Sequence, residues 1–137
     1  MKFLVKYACL SLFAGSVWAL DANPVKVEQL AKTSTSWNGS TLPAYSDGQP
    51  EITILKITVQ PNVELAWHTH PVINAGVMTK GRLIVITESG EKLELKAGDT
   101  IVEVVGKIHR GINPGPEMAE IVVFYAGVQG KPITVKK

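Results

Sequence analysis

His68, Thr69 and His70 place two imidazoles two residues apart. On an extended strand, side chains at i and i+2 project from the same face. The spacing therefore predicts a chelating pair built on a rigid element, with Trp67 and Thr69 facing the other way. The remaining histidine of the chain, His109, follows the glycine-punctuated stretch Gly106-Lys107-Ile108. Neutral imidazole is the commonest side-chain ligand for transition metals. Surface or core histidines would give the same spacing, and the spacing by itself does not separate the two readings.

The elements that must position these rings read as strands and turns. Ile52–Val59 is rich in β-branched residues and bounded by Pro50 and Pro61. Further strands are expected over residues 63–68, 72–79, 82–87, 92–95, 100–105, 119–125 and 133–135. Between them stand the turn signals Pro61-Asn62, Lys80-Gly81, Ser89-Gly90, Ala97-Gly98-Asp99 and Asn113-Pro114-Gly115-Pro116. Ser89-Gly90 marks a hairpin. The apolar run Ile121–Tyr125 reads as a strand buried on both faces. Short strands at this spacing, with no sustained helical period, predict an all-β sandwich or barrel.

Residues 1–19 read as a secretory signal peptide rather than as fold. Lys2 and Lys6 precede an uncharged apolar stretch from Tyr7 to Trp18, and Val17-Trp18-Ala19 suits cleavage after Ala19. The stretch is shorter than the roughly 20 residues a spanning helix needs. Cleavage removes Cys9, the single cysteine, so the mature chain is expected to have no disulfide and to be periplasmic or secreted. It also removes two of the fourteen Lys+Arg, leaving twelve cations against twelve anions. A balanced charge with no basic run argues against a nucleic-acid partner, and no membrane association is expected after cleavage. Residues 20–50 are polar and irregular and read as an N-terminal arm. Val25, Val27 and Leu30 are expected to form a short strand in it, and Tyr45 to end near a site. Residues 51–137 form the barrel domain.

The histidines and glycines stand in a recognisable frame. The segment from Asn62 to Gly81 contains His68-x-His70, then Asn74 after three residues, then Gly81 after six more. The segment from Gly98 to Asn113 contains Gly106, His109 and Asn113. This frame resembles the two motifs of the cupin superfamily over about 52 residues, and all three histidines fall on its metal-ligand positions. The resemblance implies a single-domain double-stranded β-helix (jelly-roll) barrel holding one divalent transition metal: Fe, Mn, Ni, Zn or Cu. It also implies a homodimer, through a sheet face or the arm.

Three positions depart from the pattern. Asn62 replaces the opening glycine and Val104 replaces a proline, both at turns or strand ends. Asn74 replaces the glutamate that is a metal ligand in the family. A neutral amide in place of a carboxylate leaves the ion less compensated in a low-dielectric barrel. Asn74 would then coordinate through its carbonyl, or anchor a metal-bound water, or a carboxylate elsewhere would supply the charge. Glu103 is the candidate for that carboxylate and for the catalytic acid/base, because it interrupts the run Ile101-Val102-Glu103-Val104-Val105. Buried there, it needs a partner; on the outer face it would pair with Arg110 or Lys107. Strand parity alone does not choose. Glu51 and Glu64 are weaker candidates. Trp37, Tyr45, Ile73, Met78, Arg110, Asn113 and Tyr125 are further candidates for the mouth of the barrel.

The expected function is that of an exported, mononuclear metal-binding cupin. In the first reading it is a metal-dependent enzyme of oxygenase (such as a dioxygenase) or lyase type acting on a small organic molecule. His68, His70, His109 and Asn74 form the metal shell and Glu103 is the catalytic residue. The alternatives are a non-catalytic periplasmic protein that binds metal or a small ligand, and a cupin dimer whose metal only stabilises the barrel.

Overall fold

The computed structural model describes residues 24–137. The expected leader, Cys9 and the first residues of the arm lie outside the described residues.

The longest strands are β1 (Pro50–Val59) and β8 (Ala119–Val128), which pair antiparallel along their whole lengths, from Pro50 opposite Val128 to Val59 opposite Ala119. Both are rich in β-branched residues, which fit a pleated, half-buried surface. β3 (Ile73–Lys80) pairs with the other edge of β8, and β6 (Thr100–Val102) pairs with β3. This gives a four-stranded sheet in the order β1-β8-β3-β6. The second sheet contains β2 (His68–Thr69), β4 (Arg82–Thr87), β5 (Lys92–Lys96), β7 (His109–Ile112) and β9 (Val135–Lys136), in the order β5-β4-β7-β2-β9. Strands close in sequence are dealt to opposite sheets, as in a double-stranded β-helix. The described residues contain no helix.

The sheets meet through their inward faces. Met78, Ile121, Val123 and Val59 from one pack with Leu83, Val85 and Leu95 from the other, all at 5% exposure or less. Ser89-Gly90 closes the β4–β5 hairpin, as its sequence predicts. Asn62, where the resemblance expects glycine, adopts φ 59°, a conformation that asparagine tolerates better than other side-chain-bearing residues. Gly81 has φ 70°, and a Cβ on it would lie 2.6 Å from the Met118 carbonyl. That turn accepts only glycine.

Four expectations need correction. Residues 25–30 form no strand, and Val25, Val27 and Leu30 are exposed. Residues 63–67 are mostly irregular, with one bridge from Glu64 to Ile112. Ile121–Tyr125 is not buried on both faces, because Phe124 is 49% exposed on the outer surface of the four-stranded sheet. β7 was not expected: four residues, one of them glycine, carry no strand pattern of their own, and pairing with β4 and β2 creates the strand.

Candidate metal centre

His68 lies in β2 directly opposite His109 in β7, and opposite Lys136 of β9 on its other side. His70 follows β2 and bridges to Val105, where the Gly106 amide donates to the His70 carbonyl at 2.9 Å. The two chelating positions are thus held by backbone pairing on both edges. The three rings form a triangle with centroids 4.5, 4.9 and 5.0 Å apart. One nitrogen from each lies within 4.8 Å of the others.

The other nitrogens decide the tautomers. Nδ1 of His68 is 2.8 Å from the Ala66 carbonyl, Nδ1 of His109 is 2.8 Å from the Lys107 carbonyl, and Nδ1 of His70 is 2.9 Å from the Ile133 carbonyl. A carbonyl oxygen only accepts, so each Nδ1 carries the proton and donates. Each neutral ring therefore turns an Nε2 lone pair into the cluster. A histidine that binds a metal through one nitrogen characteristically donates the other N–H in this way.

Glu103 stands against one side of the cluster. Its carboxylate oxygen is 2.9 Å from His109 Nε2 and 3.8 Å from His70 Nε2. The side chain is buried, which settles the parity left open by the sequence. Arg110 pairs instead with Glu64, at 2.5 Å, and stacks over Trp67. Despite their closeness, neither Glu103 Oε2 nor His109 Nε2 has a hydrogen-bond partner, so the oxygen lies off the ring nitrogen's axis. Two buried lone-pair atoms side by side and misaligned for a shared proton fit adjacent ligands of one cation. Bonds of about 2.1 Å bring such ligands to about 3 Å from each other.

Burial alone would raise the Glu103 carboxyl, but contact with His109 and the neighbouring imidazoles hold it below its ordinary value. Burial pushes His68 and His70 down, keeping them neutral. Burial also acts to lower His109, and its contact with Glu103 overrides this, raising it above 6.5.

Asn74 stands beside this group. The Glu103 amide donates to the Asn74 carbonyl at 3.1 Å. The β3–β6 register continues to put these residues opposite each other, and Asn74 is opposite Tyr125 on the other side. Tyr125, Asn74 and Glu103 therefore form one inward row, in which a carboxylate stands one strand away from the asparagine. Asn74 is 1% exposed, its Oδ1 has no hydrogen-bond partner, and it does not line the cavity.

That cavity, of about 330 Å³, opens from the cluster into the space between the sheets. His68, His70, His109 and Glu103 line it, and so does Tyr125, whose ring is 5.4 Å from that of His70. Burial, and then the charge of Glu103, push the Tyr125 hydroxyl up to about 12, so it stays a neutral donor. The other candidates for the mouth are elsewhere. Tyr45 is 81% exposed and touches a separate shallow pocket with Ile73, while Met78 and Trp37 pack in or against the core. Asn113 is structural: its amide nitrogen reaches the carbonyls of Val59, Gln60 and Glu117. Glu51 lies on β1 and does not line the cavity. Thr134 and Lys136 were missed; both line the cavity, and Thr134 Oγ1 is 3.2 Å from His70 Nδ1. The predicted strand at 133–135 was the available signal.

The chain is similar in fold to several solved structures. One is an uncharacterized double-stranded β-helix protein from Klebsiella pneumoniae, with 24% identity, TM-score 0.55, and coverage of 66% of this chain and 86% of that one. Another is oxalate oxidase with the substrate analogue glycolate, with 25% identity, TM-score 0.53, and coverage of 62% of this chain and 45% of that one. A third is a DMSP lyase from Ruegeria pomeroyi, with 15% identity, TM-score 0.55, and coverage of 72% and 47%. The chain thus spans under half the length of these two enzymes. Comparison with curated proteins finds no match. The profile of the cupin domain matches residues 55–125, more than half of the chain, across both histidine motifs and the strands that carry them. With two interleaved antiparallel sheets around that segment, the chain belongs to the cupin family.

Proposed function

We propose that this cupin is a mononuclear metal-dependent enzyme of oxygenase or lyase type acting on a small organic molecule. His68, His70 and His109 would hold the ion, with Glu103 beside them as the charged ligand. The observation that carries the reading is the pair of buried, unpartnered atoms, Glu103 Oε2 and His109 Nε2, 2.9 Å apart beside a cavity. Asn74 supports the row from behind, and the negative charge that its position lacks is supplied by Glu103 from the next strand. When bound, the metal supplies Lewis acidity and open coordination positions for a substrate or O₂.

The chain's own groups have definite tasks. The three backbone carbonyls fix the tautomers and aim each Nε2 inward, while burial keeps His68 and His70 neutral. Tyr125 offers a neutral hydroxyl at the cavity wall as a hydrogen-bond donor to a bound oxygen. Glu103, buried and held below its ordinary range, is anionic at neutral pH and stands at the cavity wall as a base for a bound molecule. A buried carboxylate beside an open cavity favours catalysis over a purely structural metal, which would need a closed shell. Oxalate oxidase and DMSP lyase, similar in fold, support the choice of reaction classes. The reading includes export: residues 1–19 direct the chain to the periplasm or medium. It also includes a homodimer, in which a second copy covers the exposed Ile52, Ile54 and Phe124 of the four-stranded sheet.

Metal analysis of protein purified in its mature form tests this. About one transition-metal ion per chain is expected, falling to below a tenth in a triple His68→Ala, His70→Ala, His109→Ala variant. A wild-type chain that takes up no metal after incubation with Fe²⁺, Mn²⁺, Ni²⁺, Zn²⁺ or Cu²⁺ would refute it.

A further inference from the structure

Below the metal layer the cavity changes character. The inward rows can be read from the strand registers. Tyr125 and Glu103 lie in the same layer as His109. Two residues further along β8 comes Val123, opposite Leu55; two further comes Ile121, opposite Ile57. On the facing sheet, Gly111 follows His109 by two residues and lies opposite Val85. All of these except Tyr125, Glu103 and His109 are apolar, and all line the cavity. From Tyr125 to Ile121 is about 13 Å at ~3.3 Å per residue. Every polar lining group is thus at one end, and the remainder is a hydrocarbon-walled chamber.

Gly111 keeps the chamber open beneath the ligands. A Cβ placed on it would meet Leu65 Cδ1 at 3.3 Å and the two Leu83 methyls at 3.5 and 3.6 Å. Any larger side chain would crowd the cavity that Gly111 lines with Leu65 and Leu83. Among the described residues the only cation lining the cavity is Lys136, which is exposed. A second anionic group carried deep into the chamber would find no partner there, and burying it would be costly.

We infer that the ligand of this centre is amphipathic: an oxygen-bearing, metal-chelating head joined to an unbranched or ring hydrocarbon body that fills the chamber above Gly111. A compact dianion with no apolar body is not its substrate. The inference deepens the proposed function and rests on the metal reading for its head group alone.

The test uses Co²⁺-loaded full-length mature protein and a straight-chain series from acetohydroxamate to octanohydroxamate, with primary alcohols of the same lengths as headless controls. Affinity should rise about three- to fourfold per added methylene (about 0.8 kcal/mol each) until the chamber is full. Gly111→Val should end the gain at a shorter chain. Should Gly111→Val fail to fold, Leu65→Ala gives the complementary readout, moving the end of the gain to a longer chain. Retained metal and bound acetohydroxamate with no gain along the series would overturn the inference while leaving the metal reading intact. Hydroxamates binding no better than the matching alcohols, on a protein that retains no metal, would sink the metal reading; a chain-length gain within the alcohols would still support the chamber.

Discussion

Glu103 carries the largest consequence of any single residue. It is the buried carboxylate of the site, and it sits against His109 at 2.9 Å. Metal ligands must shed their protons to bind. His109 is raised above 6.5 by Glu103, so protons still compete with the metal above that pH, and affinity should keep rising with pH beyond 6.5. Below 6.5, protonation of His68 and His70 comes later than usual because burial lowers both. In Glu103→Gln the charge that raises His109 is gone, and burial, the largest influence, outweighs the raising contact with the Lys107 carbonyl. The steep part of the pH profile should then move to lower pH, while affinity at pH 8 falls by about tenfold or more. Competition titration with a metal-binding dye across pH 5–8.5 measures both effects, and an unchanged profile would count against Glu103 as a ligand. Asn113 makes the opposite prediction. Replacing it with alanine leaves three carbonyls short of a donor and should cost about 3 kcal/mol in urea unfolding, with metal affinity unaltered.

Among the elements, the C-terminal strand is the least conspicuous and the most closely tied to the site. β9 pairs with β2 at His68 and Thr69, the Ile133 carbonyl orients His70, and the Lys137 amide donates to the Trp67 carbonyl. A strand of two residues adds little stability by itself, but it seals the open edge of β2. Deleting residues 133–137 should leave the β-rich circular dichroism spectrum in place and weaken metal binding by about 10–100-fold, the effect typical of losing a hydrogen-bond partner behind a ligand. Equal affinity in the truncated and full chains would show that His70 needs no such support. The same paired architecture explains why β7 escaped notice in the sequence. Its inward residues, His109 and Gly111, are an imidazole of the cluster and a residue with no side chain, so the apolar alternation that announces a strand is missing.

At the scale of the whole molecule, the apolar outer face and the metal each make a prediction about assembly and stability. Ile52, Ile54 and Phe124 are 64, 57 and 49% exposed on neighbouring strands β1 and β8, a clustering that marks an interaction surface. Sedimentation should find a dimer that Phe124→Asp converts to monomer without loss of bound metal; a monomeric wild type would rule out the self-association. If the cluster holds a metal, the ion should bind the folded chain, in which His68 and His70 of one segment meet His109 of β7, far better than the unfolded one. At a free ion concentration 100 times Kd it should stabilise by about 2.7 kcal/mol, read as a higher Tm that chelator reverses.

What the amino-acid order determined by itself is local. The i, i+2 histidines share a face because extended backbone alternates, Ser89-Gly90 turns the chain because glycine tolerates positive φ, and β-branched runs such as Ile52–Val59 extend. These rules act over a few residues, and they sufficed for the fold class and for the resemblance that placed all three imidazoles together. The direction in which Glu103 points, the burial of Asn74 beside it, the existence of β7 and the apolar chamber came only with the tertiary structure. Each depends on which face of a strand is inward, and that is set by pairing with residues tens of positions away: Asn74 against Tyr125, and His109 against both His68 and Thr87. Alternation says that neighbours face opposite ways; only the register between distant strands says which of them faces the histidine cluster.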